Sequence, residues 1–278
     1  MIQFKTEHVT VFESSIYNTT STVIHTKDMI LIVDPALLPI EVEEIRNYVH
    51  SIKKDKPIYL FFTHSDYDHI LGYNAFPDAI SIGSIEMDQR DDKDQQVDNV
   101  KNFDSQFYFQ RDYEIEYPEL NLIIEKDGQE LKVGNTTITF YKAPGHTNDG
   151  VFAIVESLGI FITGDHLCDV EFPFIYDQCT AYEQTLSKAK EIINKHRITC
   201  LIPGHGNTTT NKHEMNNRIE ESSKYLQETK KAVLENREEE SYDLVKHYPL
   251  YRTMKSQHEN NLNQIKNELE KEKIQIKA

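Results

Sequence analysis

Short β-branched apolar runs alternate with amphipathic stretches along the first 210 residues. Runs at 8–12, 22–25, 29–33, 58–63, 79–82, 122–125, 136–141, 151–155, 159–163 and 200–202 are bounded by polar turn residues, which predicts strands. Helical spacing predicts helices over 40–51, from 84 to about 101, and over 181–195. The last carries Leu186, Ala189, Ile192 and Ile193 on one face. The first strands follow one another without helices, as antiparallel strands do, and the later ones alternate with helices. Mixed sheets with helices outside fit this order better than a doubly wound parallel sheet.

The texture changes after Thr210: no Gly follows, and Pro occurs once, at Pro249. Met215, Ile219, Leu226 and Val233 mark one amphipathic helix. Met254, His258, Leu262, Ile265, Leu269 and Ile276 mark another, with 242–251 between them. The organisation expected is a catalytic domain over 1–210 and a helical C-terminal appendage over 211–278 packed on it. A homodimer through these helices, or a lid over the substrate, is the alternative reading of the same stripes.

Charge narrows the partners. Net charge is −16, and 221–278 balances 11 basic against 11 acidic residues, so the excess acid lies in 1–220. Such a surface repels nucleic acid and anionic membranes, and neither is expected as a partner. The acid-rich run 86–119, with 11 acids and 4 bases, reads as a solvated face. No run approaches the ~18 apolar residues of a membrane span. The opening MIQFKTEHVTVFE lacks a basic region followed by an apolar one, so a secretory leader is not expected. Cys168, Cys179 and Cys200 are too few and too scattered for a disulfide framework, which makes a reducing, cytoplasmic setting the expectation.

Four short segments carry the chemistry. THSDYDHILG, with His64, Asp66, Asp68 and His69, follows the apolar run 58–62. APGHTNDG, with His146, follows the run that ends near Tyr141. TGDHL, with Asp165, follows 159–162, and IPGHGN, with His205, follows 200–202. Each time an apolar strand ends and a His or Asp stands beside Gly or Pro in a tight turn, where a rigid scaffold presents ligands. Imidazole together with carboxylate suits Zn, Fe or Mn. Seven such residues exceed the needs of one metal ion and match a pair sharing one carboxylate.

The order of these segments resembles the metallo-β-lactamase superfamily of metallo-hydrolases: a His-rich run, a lone His in PGHT, a Gly-Asp and a late Gly-His. The resemblance runs from about Val9 to Asn207, and includes the Asp34 strand end and a hairpin over 126–134 before PGHT. It implies a four-layer αβ/βα sandwich, an α/β fold with the metals at one edge between two mixed sheets. It also implies that His64 and His146 bind a first metal ion, that Asp68, His69 and His205 bind a second, and that Asp165 bridges them. Asp66 stands where the commonest pattern has His, and is expected to complete the first ion's shell. Three carboxylates and a shared hydroxide then balance two divalent ions. That makes a weaker Lewis acid and favours Mn or Fe more than usual, although Zn remains the first expectation. His166 is not a ligand in the pattern. A thiolate ligand of true β-lactamases would stand at Asp165, so Cys168 is read as packing and β-lactams are not expected as the natural substrate.

The implied reaction is hydrolysis by a hydroxide shared between two metal ions, with Asp68 orienting it and passing its proton to the leaving group. The expected substrate is a small-molecule carboxylic ester, thioester or lactone. The segment after Asp165 commonly lines the pocket in this superfamily, so Phe172, Phe174 and Tyr176 are candidate walls, with the Tyr176 hydroxyl steadying an oxyanion. Tyr67 and Tyr73 are rivals. Arg252 and Lys255 loosely resemble the basic pair with which glyoxalase II members hold a glutathione carboxylate. Two other readings stay open. A phosphodiesterase would need basic residues near the site that are scarce here. A non-hydrolytic di-iron protein that binds or reduces oxygen has Asp66 as its support.

Overall fold

A computed structural model describes residues 1–249 and 251–277, with side chains described through residue 271. In chain order the strands begin with β1 (Ile2–Lys5), β2 (Val9–Glu13), β3 (Thr20–His25) and β4 (Ile30–Val33). Helix α1 (Pro39–Lys53), β5 (Ile58–Phe61), the single turn α2 (Tyr67–Ile70), β6 (Ile80–Ser84), α3 (Ile85–Gln89), α4 (Lys93–Phe107) and β7 (Leu122–Ile124) follow. Next come β8 (Gln129–Val133), β9 (Thr136–Lys142), β10 (Val151–Val155), β11 (Ile160–Ile162), α5 (Cys179–Lys195) and β12 (Cys200–Ile202). The chain closes with α6 (Lys212–Leu234), the single turn α7 (Glu238–Ser241) and α8 (Tyr251–Lys277).

β1 to β7 form one sheet in sequence order, antiparallel up to β4 and parallel from β4 onward. The second sheet runs β12-β11-β10-β9-β8, with only the β11–β12 pair parallel. Side chains alternate across each strand, and both faces are apolar. On β4, Leu31 and Val33 point at the second sheet, where they meet Phe140, Val151, Ala153 and Ile162. Ile30 and Ile32 point outward onto Val42, Ile45 and Val49 of α1 and onto Val100 and Phe103 of α4. On β10, Phe152 and Ile154 point outward onto Leu186, Ala189 and Ile193 of α5. The result is the four-layer αβ/βα sandwich expected from the sequence.

Helices α6 and α8 extend the second outer layer. Met215, Ile219, Leu226, Leu262 and Ile265 share one buried cluster with Phe152, Phe161 and Leu186. The Ile276 side chain of the expected stripe lies outside the described residues. Two strands escape the sequence pattern. β1 is a short edge strand with exposed ends, and β8, read only as part of a hairpin, is largely polar. The single helix expected from residue 84 to about 101 is broken in two at Arg90, whose backbone is extended. The Ser84 hydroxyl caps α3 by accepting from the Met87 amide at 3.1 Å, and the Arg90 guanidinium is drawn back to Ser65 and Asp149 beside the site.

Candidate metal centre

Both sheets end at one edge in the loops that carry the motif residues. Thr63, just past β5, donates its amide to Asp34 Oδ1 (2.9 Å) and its hydroxyl to Asp34 Oδ2 (2.6 Å). Asp34 is buried at the end of β4 with a φ of 44°, and it faces His69 Nδ1 at 3.0 Å. These contacts hold a conformation that an L side chain rarely adopts. His146 donates from Nδ1 to the Phe174 carbonyl (2.9 Å), and His205 from Nδ1 to the Tyr17 carbonyl (2.9 Å). His64 Nδ1 lies 3.0 Å from the Thr63 hydroxyl. With Nδ1 engaged outward, each imidazole turns Nε2 to a common centre, the tautomer that leaves a lone pair there.

Asp165 occupies that centre. Its Oδ2 lies 3.2 Å from His146 Nε2, 3.2 Å from His205 Nε2 and 3.5 Å from His64 Nε2, and its Oδ1 is 3.1 Å from His69 Nε2. Asp66 Oδ2 is 3.3 Å from His146 and 3.7 Å from His64. Asp68 Oδ2 is 3.6 Å from His205 and 3.7 Å from His69. The seven expected residues therefore converge. They form three overlapping groups: His64, Asp66 and His146; Asp68, His69 and His205; and His64, His69 and Asp165.

The donor set fits metal ions. His64 Nε2, His146 Nε2 and Asp165 Oδ1 are buried, and their nearest contacts of 3.1–3.5 Å do not align as hydrogen bonds, which is costly unless a cation meets them. His69 Nε2 and His205 Nε2 face one another at 3.4 Å, where two lone pairs repel unless a proton or a metal lies between. Close backbone approach makes the cluster compact. A Cβ at Gly204 would stand 2.1 Å from Asp165 Oδ1 and 3.1 Å from His69 Cε1. At Gly164, with φ +50°, it would stand 2.9 Å from the Thr63 hydroxyl.

Electrostatics without a metal point the same way. Burial alone would drive the His205 pKa down, but Asp165 and Glu171 carry it up to about 10. Burial is likewise outweighed at His69 by Asp165 and Asp68, and at His146 by Asp165 and Asp66; both are held well above 6.5. Burial would raise the Asp165 carboxyl, yet His205, His69 and His64 hold it well below 3.8. The centre thus demands positive charge, which protons supply when no metal does.

Around the centre lies a cleft of about 420 Å³, lined by Tyr17, Tyr67, Glu171, Phe174, Tyr176 and, from α8, Thr253 and Gln257, together with five of the motif residues. Phe174 and Tyr176 stand where the sequence places them, and the Tyr176 ring lies 5.1 Å from that of His146. Phe172 does not reach the cleft: it is buried against Tyr225, Tyr248 and His258. Tyr73 packs on Phe62 away from the cleft. Arg252 and Lys255 do not line the cleft either, and Lys255 lies over the Tyr242 ring. The cleft residues Thr253 and Gln257, four apart on α8, each precede a buried stripe position, Met254 and His258. That spacing was visible in the sequence, but its meaning was not. His166 packs between Tyr182 and Phe152 and joins none of the three groups. Burial, first of all, holds the Cys168 thiol well above its usual range, so it keeps its proton.

A family model for the metallo-beta-lactamase superfamily matches residues 16–210. The chain belongs to the metallo-beta-lactamase superfamily. Among solved structures, it is similar to a metallo-beta-lactamase family protein of Thermus thermophilus, at 15% identity and TM-score 0.62, covering 82% of each chain. It is also similar to a stereoselective inverting sec-alkylsulfatase from Pseudomonas sp., at 12% identity and TM-score 0.63, covering 84% of this chain and 42% of that one. A rubredoxin oxygen:oxidoreductase from Desulfovibrio gigas matches at 13% identity and TM-score 0.55, over 82% of this chain and 62% of that one. These likenesses establish the superfamily fold. A curated uncharacterized protein of Mycobacterium leprae is 26% identical over 103 residues, which are 31% of this chain and 41% of that protein's length. No helix among the described residues is long and apolar enough to cross a membrane.

Proposed function

We propose that the chain is a dinuclear metal-dependent hydrolase of small carboxylic esters, thioesters or lactones. The observation that carries this reading is the convergence of four imidazole Nε2 atoms and three carboxylates, with Asp165 at their centre and buried donor atoms left unpaired. His64, Asp66 and His146 would hold one ion, Asp68, His69 and His205 the other, and Asp165 would touch both. A bound metal pair supplies Lewis acidity, which lowers the pKa of water and polarises a carbonyl. Zn is the first expectation, and the third carboxylate, Asp66, favours Mn or Fe more than a fifth imidazole would.

The chain's own groups do the rest. Asp68, at the cleft wall, accepts the proton of the attacking water and returns it to the leaving group. Burial, then Asp66 and Asp68, push the Tyr176 phenol far above its ordinary 10, so it stays protonated and can donate to the substrate oxygen. Phe174 supplies the apolar wall. We further assign catalysis to 1–210 and completion of the cleft to 211–278, and place the protein in a reducing, cytoplasmic compartment, in keeping with three buried cysteines that form no disulfide. The same acid-rich donor set supports a second reading, a di-iron protein that reduces oxygen.

The test is metal analysis of protein purified without added metal, beside a panel of ester, thioester, lactone and phosphodiester substrates. About two metal ions per chain with carboxylic ester turnover supports the proposal. His69→Ala and Asp165→Ala should each lose metal and nearly all turnover. Two irons with oxygen-dependent absorbance changes and no hydrolysis would favour the second reading. Full activity in either variant sinks the assigned site.

A further inference from the structure

Beside the metal cleft lies a larger, open cavity of about 750 Å³ that shares Asp66 and Tyr176 with it, so a molecule reacting at the centre can reach across Tyr176 into this second space. Its wall brings together Glu86, Asp91 and Asp92, from the acid-rich run that the sequence suggested was merely solvated, and Asp177, from the loop before α5. The cations nearby are committed. Arg90 binds Asp92 through two nitrogens (2.6 and 2.9 Å) and reaches Ser65 and buried Asp149 with a third. Lys142 pairs with Glu86. Asp91 and Asp177 make no ion pair among the described residues. Arg90 is therefore not free to take an anionic substrate, and the wall is left with uncompensated negative charge.

An independent observation points to a ligand. Thr147 lines this cavity and is only 8% exposed, yet its hydroxyl has no hydrogen-bond partner. Glu86 Oε2 is likewise buried and unpaired. The carboxylates here do not converge as a metal site requires, since among the described residues every group close enough to hold an ion belongs to the centre described above. Separated acceptors suit an organic cation instead, and the half-exposed Tyr176 ring offers it a π-face.

We propose that this cavity is a subsite for a positively charged, amine- or quaternary-ammonium-bearing part of the substrate. The proposal rests on the ester-hydrolase reading and names its substrate class: small esters, thioesters or lactones that carry a cation.

Two measurements test it separately from that reading. Titration calorimetry on the full-length protein compares choline with its uncharged isostere, in which a tert-butyl group replaces the trimethylammonium. Choline should bind about tenfold or more tightly, with the preference shrinking as salt rises. The preference should collapse in Asp91→Asn/Asp177→Asn, and Thr147→Val should weaken it in a protein that keeps those charges. The acetate esters of the two alcohols are then compared on the metal-loaded protein, where kcat/KM should favour the choline ester by a similar factor. Equal binding of choline and its isostere by the wild type overturns the subsite, whatever the hydrolysis result. Preferential choline binding with no turnover of either ester, or of any ester, thioester or lactone in the panel, leaves the subsite standing and refutes the hydrolase reading.

Discussion

Asp34 belongs to none of the three donor groups, yet replacing it with Asn should weaken one of two metal affinities selectively. The carboxylate accepts from the Thr63 amide at 2.9 Å and the Thr63 hydroxyl at 2.6 Å, and faces His69 Nδ1 at 3.0 Å. In Asp34→Asn, an amide oxygen kept on the Thr63 amide turns the NH2 group toward the other two partners. The Thr63 hydroxyl can rotate to accept. His69 can accept at Nδ1 only by moving its proton to Nε2, the atom that lies 3.1 Å from Asp165 and 3.7 Å from Asp68. An imidazole protonated there cannot ligate through it. Loss of such a supporting contact costs about 10–100-fold in metal affinity, roughly 1.4–2.8 kcal/mol. His146 and His205 keep their carbonyl partners, Phe174 and Tyr17, so the loss should fall on the step that uses His69. The assay is titration of chelator-stripped protein with Zn and with Mn by calorimetry, with circular dichroism to check folding. Two affinities that both stay unchanged, or that fall in parallel, would refute the tautomer argument.

Three further outcomes are expected. Asp66→His should shift preference from Mn or Fe toward Zn, measured by metal content after growth in mixed metals; an unchanged metal profile removes the charge-balance argument. Leu262→Ala, at a position 5% exposed in the cluster shared by both parts of the chain, should cost about 2–5 kcal/mol in urea unfolding. A loss below about 1 kcal/mol would show that α8 packs loosely there. Metal-free protein should be most stable between about pH 4 and 6.5. Asp66 and Asp165, held below 3.8, contribute above that pH and lose their contribution as pH falls. His69, His146 and His205, held above 6.5, contribute below that pH and lose their contribution as pH rises, in the case of His205 toward 10. A urea midpoint that climbs steadily from pH 6.5 to 9 in stripped protein would contradict these signs.

The centre was legible in the sequence because its information is local. His64, Asp66, Asp68 and His69 lie within six consecutive residues after β5, in a loop and the single turn α2, and the other three candidates each stand beside a Gly at a strand end. The sandwich was legible because β4 and β10 are apolar on both faces and short, as strands between two layers must be. The cleft wall was less legible. An amphipathic stripe such as Met254, His258, Leu262 and Ile265 says that a face is buried and not what lies at its flank, so the role of Thr253 and Gln257 needed the third dimension. Phe172 and Phe174 read alike in sequence, yet one points into the core and the other into the cleft, because the loop between Asp165 and α5 does not follow a strand period. At the break, the Arg90 side chain meets Ser65 and Asp149, both distant in sequence, as well as neighbouring Asp92, and no local propensity records the distant contacts.

The contribution of α8 to the cleft bears on how the protein is made. The donors run from His64 to His205, but the wall extends to Gln257. During synthesis from the N-terminus, every candidate metal donor leaves the ribosome before the helix that closes the space beside them. A nascent chain can therefore gather its candidate donors while the cleft beside them is still unwalled, and the cleft takes its final shape only when α8 docks. Loss of the last helix should leave a centre exposed on the side where Thr253 and Gln257 now stand, open to molecules that the complete fold keeps out.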